Sequence, residues 1–100
     1  MSINATAIQA SAQRLFPNES LDQVLAELLL ERAQKNLIKY QTIARQFETK
    51  YSQDFETFRK EVSRAQPSFV MEQDYFDWEL AVSGIADMEK EIERLRGLSQ

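Results

Sequence analysis

Neither cysteine nor histidine occurs in the 100-residue chain. Without cysteine there is no disulfide and no thiolate nucleophile, and cysteine usage points to no compartment. Without histidine the chain lacks the commonest general base and the commonest transition-metal ligand. A zinc site built from carboxylates alone would be unusual. Glycine and proline occur only twice each, which permits long helices and disfavours turn-rich β folds. There is no glycine-rich phosphate loop and no G-x-S-x-G elbow. The longest apolar run is "LLL" at Leu28 to Leu30, so no membrane span is expected. The opening "MSINATAIQASAQRLF" has neither a basic n-region nor a long apolar core and does not read as a signal peptide. The expectation is a single-domain, cytoplasmic, non-enzymatic protein with no cofactor.

What is present is a helical pattern with an uneven charge. Residues 1–50 hold six basic and five acidic groups, whereas residues 51–100 hold six basic and eleven acidic groups. The acidic half argues against a nucleic-acid role there. In residues 1–19, Ile8, Ala12, Leu15 and Phe16 fall at helical spacing, which predicts a short helix or an arm that becomes helical on a partner. Pro17 disfavours helix at Phe16, and Ser20 with Gln23 forms a helix-start signal. Residues 20–100 then make up the helical domain.

From Leu21 to Tyr51 an apolar stripe runs through Leu25, Leu28, Leu29, Ala33, Leu37, Tyr40, Ala44 and Phe47 with no glycine or proline. A single helix of that length reaches roughly 45 Å, too long for a compact domain with a radius of gyration of about 13 Å. It must project or pack along another long element. Asp54 caps a second helix ending near Arg64, with Phe55, Phe58 and Val62 on its buried face. "AQPSFVMEQ" reads as a loop because of Pro67; "SFVM" has strand character but no partner strand. The last helix is expected to start near Asp74. Trp78, Ala81, Ile85, Met88, Ile92 and Leu95 form an a/d seam, and Gly97 would stand just past its end.

The stretch "EQDYFDWE" places Tyr75, Phe76 and Trp78 among Glu72, Asp74, Asp77 and Glu79. Two readings compete. Acids at a helix start suit the macrodipole, and aromatics there close the end of a small bundle, with Trp78 and Tyr75 on the core stripe. Alternatively Asp74, Tyr75, Phe76, Asp77, Trp78 and Glu79 form a contact surface: Phe76 falls off the seam, and an apolar anchor in an acidic rim suits a basic partner protein. Asp74 and Asp77 are too few for a magnesium site, since no further ligand is expected beside them.

The stretch from about Leu15 to Leu98 resembles a family of small prokaryotic helical proteins of the antitoxin-like type. The residues that carry the likeness are "LFPNESLDQVLAELLLERAQKNLIKY", "RQFETKYSQDFETFRKEV" and "DYFDWELAVSGIADMEKEIERLRG". The family pattern has a Leu-rich helix running into a K-Y-G turn, then S-F-E-E-F, an acidic aromatic D-W-E-x-A segment, a Gly-Ile pair and a charged helix. Here Ser52 replaces the turn glycine, removing the residue best suited to a left-handed cap. Asp54 and Thr57 replace Ser and Glu, weakening the capping box. The resemblance brings no catalytic residue and implies a partner-binding role.

The fold expected is all-α: one long central helix, a short helix at 55–64, and a long C-terminal helix packed on the first as a bundle or hairpin. The long Leu-rich helix has more apolar face than the C-terminal helix can cover, so a homodimer is expected through Leu21, Leu25, Leu28 and Leu29. The function expected is binding and neutralising a partner toxin. The alternatives are a dimeric DNA-binding regulator using Arg14, Arg32, Lys35, Lys39 and Arg45, or a purely structural self-associating module.

Overall fold

The computed structural model describes residues 4–98. Residues 1–3 of the N-terminal segment and the last two residues of the helical region lie outside them. Four helices follow in order: α1 (Ala5–Leu15), α2 (Leu21–Tyr51), α3 (Phe55–Arg64) and α4 (Phe69–Leu98). No strand occurs among the described residues.

Each start has a local chemical cause. The Asn4 side chain accepts a hydrogen bond from the Ala7 N–H and opens α1. At α2 the capping box closes in both directions: the Ser20 hydroxyl accepts from the Gln23 N–H at 3.2 Å, and the Gln23 side chain accepts from the Ser20 N–H at 3.0 Å. Asp54 caps α3 by accepting from the Thr57 N–H at 2.8 Å, and that bond holds its carboxyl below the ordinary value. The end of α2 departs from expectation. Ser52 adopts the left-handed conformation (φ 52°, ψ 39°) despite its side chain, because α3 must turn back sharply to cover the aromatic core.

The start of α4 is a second correction. The expected loop through residue 73, and the strand character of "SFVM", give way to helix from Phe69. The Ser68 hydroxyl accepts from the Met71 N–H at 3.2 Å, and its carbonyl takes the Glu72 N–H. Pro67 precedes this cap and so costs no helical hydrogen bond. At the other end α4 continues to Leu98. Gly97 therefore lies inside the helix, with no positive φ, rather than past its end.

Helices α2 and α4 pack antiparallel. Lys50 meets Asp74 and Tyr40 meets Gly84, pairs whose numbers both add to 124. This register leaves the first turn of α2 beyond the end of α4. Small residues bring the helices close: Ala44 and Ala81 are buried in one cluster with Phe58 and Trp78, and Ala33 with Ile92 and Leu95 in the other. Phe58 and Trp78 are fully buried. The Trp78 ring lies 5.2 Å from that of Phe58, 5.4 Å from Phe55 and 5.7 Å from Phe47. Such pairs add about 0.5–1.5 kcal/mol each beyond their buried area. The seam expected on α4 is the packed one: Trp78, Ala81, Ile92 and Leu95 are buried, with Ile85 and Met88 half-buried.

The product is elongated, 58 × 33 × 18 Å with a radius of gyration of 19.5 Å, against about 13 Å for a compact chain of this length. A long hairpin has two ends, and they differ chemically.

Candidate functional site

The acidic aromatic segment sits in the first half of α4, and the helix divides its residues. Trp78 is fully buried. It is thus part of the core and is withdrawn from the expected contact surface, because its ring is enclosed by Phe47, Phe55 and Phe58. Its indole N–H has no acceptor among the described residues, a burial that costs about 1–3 kcal/mol. Tyr75 is half-buried and stacks on Phe55 at 5.8 Å. A hydrogen bond to Glu79, followed by desolvation, raises its phenol above the ordinary value.

Asp74 also turns inward. Its side chain is only 13% exposed and accepts from the Lys50 ammonium at 2.6 Å and from the Tyr51 hydroxyl at 2.5 Å. Burial pushes the carboxyl up, but the bonds from Lys50 and Tyr51 and the lysine charge outweigh it and leave it below its ordinary value. Tyr51 is pushed up to about 12, first by desolvation and then by Asp74. This cluster clamps the end of α2 to α4. No local pattern announces it, since the partners lie 23 and 24 positions apart.

Phe76, Asp77 and Glu79 stay exposed. Phe76 is 57% exposed beside two residues that the sequence did not single out, Phe69 at 79% and Leu80 at 69%. At ~100° per residue these three lie within about 40° of one another and about 180° from Trp78. They form an apolar stripe on the outer face of α4, bordered by Glu72, Asp77 and Glu79. Phe69 escaped notice because the helix was expected to begin only at Asp74; Leu80 lay within the expected helix but off the Trp78–Leu95 seam that was read as its packed face. Beside the stripe a groove of about 380 Å³ runs between the helices, with Tyr40, Ile43 and Phe47 on the α2 side and Asp77, Leu80 and Ala81 on the other. Lys39 and Gln46 also line it.

The leucines lie at the other end of the hairpin. Leu25, Leu28 and Leu29 are 46%, 46% and 57% exposed, and Leu21 is half-buried. Of the cations, Arg32, Lys35 and Lys39 share one stripe of α2 by their 3 and 4 spacing. Lys35 pairs with Glu31 at 3.4 Å, while Arg14 belongs to α1 and Arg45 to another face of α2. Among the described residues no group of three or more acidic side chains is placed to hold a metal ion. No described helix is long and apolar enough to cross a membrane. No family model matches the chain, and no curated protein or solved structure does so either.

Proposed function

We propose that the chain is a non-catalytic protein-binding module, antitoxin-like in role, that captures and neutralises a basic partner protein through the outer face of α4. The observation that carries this reading is the exposure of Phe76, Phe69 and Leu80 in line on the face opposite Trp78. The core already has its aromatic residues, so these three are surplus to folding. Carboxylates at their border steer a basic partner, and the apolar anchors hold it once water is displaced. The resemblance of the "DYFDWELAVSGI" segment to antitoxin-like proteins supports the same assignment.

The test is affinity purification of the tagged chain from its own host at low salt, followed by Phe76→Glu. The reading requires one stoichiometric basic protein that is released by salt and absent with Phe76→Glu. Recovery of the same partner with both forms would remove Phe76 from the contact. A dimeric DNA-binding regulator is the second reading, favoured by the alignment of Arg32, Lys35 and Lys39. It requires salt-dependent retention on duplex DNA that is lost when these cations are neutralised.

A further inference from the structure

The leucine end of the hairpin has its own pattern. Leu21, Leu25, Leu28, Arg32, Lys35 and Lys39 follow one another at spacings of four and three. That is a heptad seam, but it faces away from α4, whose side of α2 is defined by Ala33, Tyr40 and Ala44. The seam is apolar for three layers and basic for the next three. Around it lie further uncovered apolar side chains: Leu29 on α2, Leu15 on α1 at 75% exposure and Leu98 on α4 at 73%. Helix α1 packs on α2 and yet buries none of its own residues.

The chain exposes 7777 Å², about 1,900 Å² more than the ~5,900 Å² expected of a compact chain of this mass. A standard interface removes roughly 800 Å² from each partner. The excess is therefore sufficient for one.

We infer that a second copy of this chain covers the leucine end, with the two α2 helices crossing antiparallel about a two-fold axis at Leu25. Self-complementarity selects the copy: four residues before Leu25 and three after it stand Leu21 and Leu28, so each seats the other across the axis, as an isologous contact requires. Charge selects the direction. In a parallel pair Arg32, Lys35 and Lys39 would each face their own duplicate. In the antiparallel pair the basic layers run past the partner's leucines, and Arg32 comes over the Pro17–Glu19 turn instead of its own duplicate. This inference does not depend on the proposed function, because the acidic aromatic face stays free at the far ends.

Two experiments test it. Sedimentation equilibrium of the full chain should give twice the 11.7 kDa chain mass, and Leu25→Glu with Leu28→Glu should give a monomer of unchanged helicity. A wild-type chain that stays monomeric up to millimolar concentration overturns the inference. Should the double variant fail to fold, single cysteines decide, since the chain has none of its own. On mild oxidation Leu25→Cys should cross-link to itself. Leu21→Cys should not do so alone, but should cross-link to Leu28→Cys when the two are mixed. Self-cross-linking of Leu21→Cys as fast as that of Leu25→Cys would mean a parallel pair. No cross-linking at any of these positions would mean a different interface.

Discussion

The ring of Tyr40 occupies the space where a side chain at Gly84 would begin. A Cβ placed on Gly84 would lie 2.7 Å from the ring's Cδ2 and Cε2 and 2.8 Å from Cγ. The glycine is thus required by a close approach between α2 and α4 and not by backbone conformation. Gly84→Ala should destabilise the fold by up to about 2 kcal/mol, because overpacking of roughly 1–3 kcal/mol offsets and can exceed the ~1 kcal/mol that alanine gains in helix propensity. In a Tyr40→Ala background the same change should be neutral or stabilising. Denaturant melts of the four proteins measure this coupling.

The two aromatics at positions 76 and 78 should respond in opposite ways. Trp78→Ala removes a fully buried ring from four aromatic neighbours and should cost about 3–5 kcal/mol. Phe76→Ala should change stability by less than about 0.5 kcal/mol, as at other exposed sites. Thermal unfolding distinguishes them, and a Phe76 variant as unstable as the Trp78 variant would make Phe76 a core residue.

The clamp of Lys50, Tyr51 and Asp74 makes stability depend on pH at both extremes. Tyr51 is raised to about 12 in the fold, so its contribution is complete below pH 10, falls as pH rises from 10 to 12, and is gone above that. Asp74 is held below its ordinary value. Its contribution is complete above that value and disappears as pH falls through the lowered one. Compared with wild type, Tyr51→Phe should flatten the alkaline limb and Asp74→Asn the acid limb of a stability–pH curve.

Ser52 holds a left-handed conformation at φ 52° that costs an L-residue about 1–2 kcal/mol. Ser52→Gly should relieve that strain. After the greater flexibility of glycine in the unfolded chain is allowed for, the gain should be about 0.5–1 kcal/mol. A chemical melt with an unchanged slope and a higher midpoint would show it.

Much of the fold was legible because it is written in short-range chemistry. Ser20 with Gln23 announces the start of α2 and Asp54 that of α3, and the spacing from Trp78 to Leu95 announces the packed seam. What was illegible depends on register. Pro67 looks like a breaker until Ser68 is seen to cap the helix behind it. The pairing of Asp74 with Lys50 and Tyr51, and of Tyr40 with Gly84, follows from how α4 slides along α2, which no local pattern encodes. The exposed face was legible in part: Phe76 lies off the seam as expected, whereas Trp78 belongs to the core. Phe69 became visible only once the helix was known to start there, whereas Leu80 already lay within the expected helix, off its seam.

On the proposed function, Phe76 is exposed for a partner and not for the fold. The most direct measurement titrates the purified partner protein against wild type and Phe76→Ala, with thermal unfolding of both chains recorded alongside. The prediction is an equal melting temperature and a Kd weakened at least about tenfold, or ~1.4 kcal/mol. Equal affinity of the two chains, or a loss of affinity that merely follows a fall in melting temperature, would contradict it.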